Sequence, residues 1–267
     1  MSDLMHQDRI RDIVRGAYRT IPSGAGEVTA SRLYRPEELA EVPDLAIAWS
    51  LGVGNPVRHA DLVEGEVVID LGCGGGIDTI LAARRVGPPG RVLAVDTLPE
   101  MCERTERAAA EAGVADRVEV VHAEMEDLPV LDDTVDVVIS NGVINLSPRK
   151  SRALAEASRV LRPGGRFCVS DLTVDDDLPP QVLTSGAAWA GCIAGALSEE
   201  VFTTKLTNVG FTDIHLGEHI PFSVDDAALY PLFTDEVIAL MRELVPPEQQ
   251  ASIATSLIAR ARLPEAA

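Results

Sequence analysis

The sequence predicts an α/β fold, a doubly wound sheet with an N-terminal helical cap and a C-terminal extension. From residue 66, short apolar runs of strand length alternate with helical stretches, and a glycine cluster directly follows the first run. This alternation is typical of βαβ units, whose parallel strands are buried on both faces and joined by right-handed crossovers. We therefore expect ligands to bind at the carboxyl ends of the strands.

Residues 1–60 predict the helical cap. Residues 4–18 place apolar side chains at helical spacing, and the Pro and Gly residues of 21–26 interrupt regular structure. Residues 36–50 predict a further helix, because Pro36 stands at the first helical position and acidic residues follow it. Two helices are thus expected ahead of the sheet.

Residues 61–175 predict the core that binds the ligand. Apolar runs supply its strands, and helical stretches connect most of them. The predicted order is strand 67–71, helix 78–86, strand 91–95, helix 101–112, strand 118–121, strand 135–140, helix 151–161, turn 162–165 and strand 166–171.

Residues 176–267 predict substrate-side helices, the final strands and a C-terminal extension. An apolar stripe at helical spacing over 229–244 predicts core packing, with a homodimer contact as the alternative. The predicted elements are a loop at Asp175–Pro180, a helix within 181–197, a helix from Ser198 to near Gly210, and strands at 211–216 and 252–262.

The composition excludes several classes of partner. The 267 residues are 46% apolar, enough for a sizeable core, and their net charge of −19 repels phosphate backbones and anionic lipid. No apolar run reaches the roughly 18 residues that cross a bilayer, and residues 1–15 lack a signal segment. We therefore expect a cytoplasmic protein without nucleic-acid or membrane partners. The four cysteines form no CxxC pair, which predicts free thiols and no metal site.

The strongest local signal is residues 67–78, Val-Val-Ile-Asp-Leu-Gly-Cys-Gly-Gly-Gly-Ile-Asp. A dinucleotide fingerprint starting at Gly72 would need glycine at Ile77, and no Lys-Ser/Thr follows for a P-loop. Asp70 beside the glycines suits a cationic ligand that lies against the backbone. Asp96, which ends the second strand, can accept both hydroxyls of a ribose. Adenosine with a cationic amino-acid tail is S-adenosylmethionine, the predicted cofactor; a turn with glycines only for packing is the alternative.

These motifs, in this order, resemble the class I S-adenosylmethionine-dependent methyltransferases over about residues 60–173. The resemblance implies their Rossmann-like fold and a set of cofactor contacts. It implies that Asp70, Gly72 and Gly74 contact the methionine part, that Asp96 holds the ribose, that Met101 packs on the adenine, that Glu124 faces the adenine amino group with Met125 at the ring, and that Asn141 lines the methyl-transfer site.

Three further strings, at 50–56, 139–148 and 189–196, resemble the arsenite methyltransferase family. That family binds trivalent arsenic through cysteine thiolates, because a soft metalloid prefers sulfur ligands. Here Gly142 and Val53 stand where the family carries cysteine, and only Cys192 matches a family thiol. The chain is therefore expected to keep the scaffold without the metalloid site.

The resulting expectation is methyl transfer to an organic small molecule, an aromatic or heteroaromatic (indole-like) specialised metabolite, at an electron-rich carbon or nitrogen. Two alternatives stay open: an arsenite methyltransferase with an atypical thiol site, and a non-catalytic sensor that binds S-adenosylmethionine. The base, if one is needed, is unknown, with Tyr18 and His59 as candidates. The expected acceptor contacts are Trp49, Gly142, Asn145, Trp189 and Cys192.

Overall fold

The computed structural model describes residues 2–174 and 178–266, with side chains from residue 7 onward. Of the predicted acidic loop, positions 175–177 lie outside the described residues. Within the described ranges one sheet is formed by β1 (Val67–Leu71), β2 (Arg91–Asp96), β3 (Val118–His122), β4 (Val135–Asn141), β5 (Leu161–Thr173), β6 (Thr212–Phe222) and β7 (Ala254–Arg262).

The strand order is β3-β2-β1-β4-β5-β7-β6, and the first five of these strands run parallel. This confirms the predicted α/β fold. The sheet is not wholly parallel, however, because β7 runs antiparallel to both β5 and β6. The last strand of the chain therefore lies inside the sheet and completes it.

The helices connect the strands and cover both faces of the sheet. The predicted helix over 36–50 is wrong in extent: it is two single turns, because Pro43 cannot donate a backbone hydrogen bond to continue the first. The helix predicted within 181–197 is likewise two short helices. The helices are α1 (Ser2–Arg19), α2 (Glu27–Leu33), α3 (Pro36–Leu39), α4 (Asp44–Ile47), α5 (Ile77–Val86), α6 (Pro99–Glu111), α7 (Lys150–Val160), α8 (Pro180–Leu183), α9 (Gly186–Ala190), α10 (Glu199–Asn208), α11 (Val224–Ala227) and α12 (Asp235–Leu244).

Alternation along the strands divides the core between the two faces. Val68 packs with α5 and α6, whereas its neighbours Ile69 and Leu71 pack with α7 and α10 on the opposite face. Successive strand side chains point to opposite sides, so a buried parallel strand must be apolar at almost every position. None of the helices in the described ranges has the length and hydropathy that crossing a membrane requires.

A third apolar cluster joins the two ends of the chain. Ile10 and Val14 of α1 pack with Phe233 and Met241 of the C-terminal segment and with Cys192. This cluster lies beyond the sheet on the side where the parallel strands end. The N-terminal cap and the C-terminal extension thus form one layer over this edge of the sheet, which we call the roof.

Candidate active site

A cleft opens at the carboxyl ends of β1, β2 and β4, where ligands bind in open α/β sheets. Including its open mouth, it encloses about 1100 Å³. Most of the residues expected to contact the cofactor line this cleft: Gly72, Gly74, Asp96, Met101, Glu124, Met125 and Asn141.

The glycine loop between β1 and α5 forms one wall of the cleft. Gly72 has a φ of +77°, and a Cβ there would overlap the side chain of Val143. Gly74, with a φ of +54°, has open space where its Cβ would lie. A ligand can therefore lie directly against this backbone, which fits the expected cofactor.

Asp96 ties the loop to the end of β2. Its carboxylate accepts hydrogen bonds from the backbone N–H of Gly74 at 3.0 Å and of Leu98 at 2.9 Å. Burial raises the pKa of Asp96, while these hydrogen bonds act in the opposite direction. The carboxylate is thus fixed at the rim where the ribose is expected.

Glu124 is held by the N-terminal helix. It forms an ion pair with Arg15 of α1 and accepts a hydrogen bond from Thr97 Oγ1 at 2.6 Å. Arg11 and Arg19, one helical turn away on either side, approach Glu126 at 3.7 Å and Glu100 at 3.1 Å. Arginines spaced four residues apart lie on one face of a helix, and this spacing could have indicated the contact with the acidic residues. The sequence analysis did not select them.

Trp49 and Met101 lie together beside the cleft. Arg104 links them, with its guanidinium 3.5 Å from the Trp49 ring centroid and Nη1 3.0 Å from Met101 Sδ. Trp49 also packs on Gly75, where a Cβ would come within 2.7 Å of Trp49 Cβ. The predicted acceptor residue Trp49 therefore stands against the cofactor loop.

Asp70 is the one predicted cofactor residue that does not line the cleft. It is 2% exposed, lies beneath the glycine loop and accepts a hydrogen bond from Thr79 Oγ1 at 2.6 Å. Burial, together with the negative charge of Asp78, raises its pKa. Asp78, from the first turn of α5, lines the cleft instead, and the sequence reasoning had not selected it.

Both polar atoms of the Asn141 side-chain amide form hydrogen bonds with other residues of the protein. Its Oδ1 accepts from the backbone N–H groups of Val53 and Gly54 at 2.8 and 3.1 Å. Its Nδ2 lies within hydrogen-bonding distance of Gly54 O, Asp78 Oδ2 and Tyr34 Oη. Asn141 therefore anchors the loop that precedes β1 and positions Asp78.

Of the predicted acceptor residues other than Trp49, Gly142 lines the cleft and the other three lie behind its wall. Cys192 donates to the Gly142 carbonyl at 2.9 Å. Asn145 donates to Asp171 at 2.8 Å, and Trp189 packs 5.3 Å from the Lys150 ammonium. Asn145, Trp189 and Cys192 therefore do not line the cleft, and their contact with the acceptor stays a prediction.

The two candidate bases lie at different ends of the molecule. Tyr18 of α1 lines the cleft, and burial raises its pKa well above the usual value. His59 lines a separate cavity with Cys168 and Arg260, and its Nε2 lies 3.1 Å from Glu218. His59 therefore lies outside the cleft, near the amino end of β5.

Replacing His59 by alanine should leave methyl transfer within about twofold of the wild type, because the imidazole touches no part of the cleft. The measurement is turnover of labelled S-adenosylmethionine with the acceptor identified below. A loss of turnover in a variant with an unchanged melting temperature would contradict the assignment.

The four thiols do not converge. Cys168 donates to Pro56 O at 3.3 Å, Cys102 to Asp96 O at 3.7 Å, and Cys73 accepts from Thr105 at 3.4 Å. Cys192 has its own carbonyl partner, and burial raises its pKa well above that of a free thiol. A cage of several thiolates is therefore not formed in the described part of the chain.

Comparison with known proteins agrees with this geometry. A family model described as a methyltransferase domain matches residues 62–218. The chain is 40% identical over 183 residues to the arsenite methyltransferase of Halobacterium salinarum, covering 68% of this chain and 46% of that protein. The similar enzyme of Aquipseudomonas alcaligenes is 38% identical over 175 residues, covering 63% and 50%. The chain thus spans about half the length of these relatives.

Solved structures support the same relationship. An arsenic(III) S-adenosylmethionine methyltransferase from Chlamydomonas reinhardtii matches with a TM-score of 0.63 at 30% identity, covering 95% of this chain and 73% of that one. A geranyl diphosphate C-methyltransferase from Streptomyces coelicolor A3(2), in complex with S-adenosyl-L-homocysteine, shares the fold at a TM-score of 0.61 and 18% identity, covering 78% and 76%. The chain therefore belongs to the methyltransferase domain family, within the class I S-adenosylmethionine-dependent methyltransferases, and is similar to their arsenite-methylating members.

Proposed function

We propose that the chain transfers a methyl group from S-adenosylmethionine to a small molecule. The observation that carries this proposal is the cleft in which Gly74 leaves its backbone open and Asp96 fixes the glycine loop. S-adenosylmethionine, when bound, supplies a methyl group already activated by the sulfonium. The protein therefore has to bind the cofactor and the acceptor, align them and exclude water. The displacement itself needs no catalytic triad and no metal.

The wall of the cleft beyond the glycine loop suits such a displacement. Val14, Leu51, Val143 and Leu146 line it and keep water from the acceptor. The acceptor must approach to about 3–3.5 Å in line with the bond that breaks, and its lone pair forms the new bond to carbon. A proton has to leave only if the acceptor atom carries one, and Tyr18 is the candidate base that lines the cleft.

Arsenite is the better supported acceptor class. The similarity to arsenite methyltransferases favours it over the indole-like metabolite that the missing cysteines suggested. An organic acceptor remains the second candidate, because the sulfur of Cys192, the cysteine that matches a thiol of the arsenite family, is already hydrogen-bonded to the Gly142 carbonyl. The cytoplasmic location and the homodimer stay predictions of the sequence.

The deciding experiment incubates the purified protein with S-adenosylmethionine labelled in its methyl group. One set contains arsenite and a thiol, and the other contains indoles, phenols and amines. Label on arsenic supports the arsenite proposal, and label on an organic product supports the second candidate and identifies the atom. Tight cofactor binding without transfer in either set would favour the sensor.

Replacing Cys192 by serine separates the two acceptor classes. If arsenic is held by this thiol, transfer to arsenite should fall at least tenfold, because a hydroxyl is a poor ligand for a soft metalloid. If the acceptor is organic, turnover should stay within about twofold, because serine can still donate to Gly142 O. Cys168→Ser is the matched control, since this buried thiol lines no part of the cleft.

A further inference from the structure

We propose that Asp78, and not Asp70, is the carboxylate that recognises the ammonium group at the amino-acid end of the cofactor, and that Tyr34 and Asn141 hold it in place. This inference rests on the proposed function, because it assigns a specificity-determining residue within the same cleft.

The side chain of Asp78 is built into the wall of the cleft. It is 5% exposed, and it lines the cavity from the first turn of α5. Tyr34 Oη donates to its two oxygens at 2.9 and 3.0 Å, and Asn141 Nδ2 donates to Oδ2 at 2.9 Å. A carboxylate has about four lone-pair sites, so these two donors leave room for an ammonium.

No cationic side chain in the described ranges forms an ion pair with Asp78. The titratable groups that face it are Asp70 from β1, Glu38 from α3, Cys168 from β5 and the Tyr34 hydroxyl. Glu38 is already paired with Arg58 at 2.6 Å. A buried carboxylate without a cation is costly unless a ligand supplies one. The local field is therefore negative and selects a positively charged group.

The position within the cleft indicates which part of the cofactor meets Asp78. Asp96 and Glu124 stand after β2 and β3, where the ribose and adenine are expected. Asp78 and Asn141 stand across the glycine loop, beside β1 and β4. The ligand end opposite the adenosine is the amino acid, whose cationic substituent is a primary ammonium.

Asp70 cannot take this role in the same way. It lies outside the cleft lining and accepts a hydrogen bond from Thr79. Its charged form is disfavoured by burial and by Asp78, so it holds its proton more readily. Asp70 then supports the loop from below without a direct ligand contact.

Calorimetry on three proteins, the wild type, Asp78→Asn and Asp70→Asn, with two ligands tests this assignment. The ligands are S-adenosylhomocysteine and its analogue in which hydrogen replaces the amino group. Wild-type protein should bind the amine about 10- to 100-fold more tightly than the analogue, as expected for a hydrogen bond between charged groups. In Asp78→Asn this ratio should fall to within about threefold of unity, whereas Asp70→Asn, the matched control, should keep the wild-type ratio.

A pH series on the wild-type protein provides a second measurement that needs no variant. Burial raises the pKa of Asp78 to about 6, so acidification from pH 8 to pH 5 protonates it. The carboxylate is charged above that pKa, so the preference for the amine should be present near pH 8 and lost towards pH 5. Asp96 faces both ligands equally, and its titration cancels in their ratio.

The binding ratios of the two variants distinguish Asp78 from Asp70. An unchanged ratio in Asp78→Asn, or parallel pH profiles for the two ligands, would overturn the assignment. Loss of the ratio in Asp70→Asn alone would return the role to Asp70. If wild-type protein fails to bind S-adenosylhomocysteine at all, the proposed function itself fails.

Discussion

Replacing Asp96 by alanine is expected to weaken S-adenosylmethionine binding by about 1–3 kcal/mol, or roughly 5- to 150-fold. The carboxylate is fixed by Gly74 and Leu98, so it is preorganised to accept the ribose hydroxyls. Its removal takes away that acceptor and also leaves the Gly74 N–H without its partner. Both losses act on the same wall of the cleft, and isothermal titration calorimetry measures them together.

The control for this variant is Asp127→Ala, which removes an exposed carboxylate shortly after β3 that does not line the cleft. It changes the net charge by the same amount and should leave the affinity unchanged. An Asp96→Ala protein that binds the cofactor as tightly as the wild type would remove Asp96 from the site. A similar loss in both variants would indicate a general effect of charge.

Replacing Asn141 by alanine should lower the free energy of unfolding by about 3–5 kcal/mol, because one side chain satisfies several buried groups. Val53 N–H, Gly54 N–H and Gly54 O would all lose their partner. Each unsatisfied group costs about 1–3 kcal/mol unless water reaches it. Urea unfolding followed by circular dichroism measures the change.

Asn208→Ala is the matched control, since Asn208 is exposed at the end of α10 and should cost no more than about 0.5 kcal/mol. Because Asn141 also positions Asp78, the folded fraction of Asn141→Ala should show a reduced preference for an amine-bearing ligand. Wild-type stability in Asn141→Ala would mean that the loop before β1 is held by other contacts.

The sequence predicted those features that neighbouring residues determine. The glycine loop after an apolar strand could be assigned as a cofactor cradle because strand, turn and helix follow within residues 67–86. Asp96 was selected for the same reason, since it ends a parallel strand and such ends meet at one edge of a sheet. The structure places it in the lining of the cleft.

The sequence could not decide between residues whose position depends on the direction of the side chain. Asp70 and Asp78 flank the same glycine cluster, and the sequence pattern favoured Asp70. Strand side chains alternate, so Asp70 points below the loop, while the first turn of α5 turns Asp78 into the cleft. His59 was a candidate only because histidine can act as a base, and the strand direction places it at the opposite end of β5 and β7.

The order of the elements and the cofactor loop could be predicted because they depend on hydrophobic periodicity and on glycines at fixed local spacing, and the motifs in their order carried the resemblance to the family. How the cleft is closed became visible in the packing of distant elements. The Arg15–Glu124 ion pair joins residues 109 positions apart, and Val14 meets Phe233 in the roof. Such contacts depend on how separate elements pack, and no local pattern specifies them.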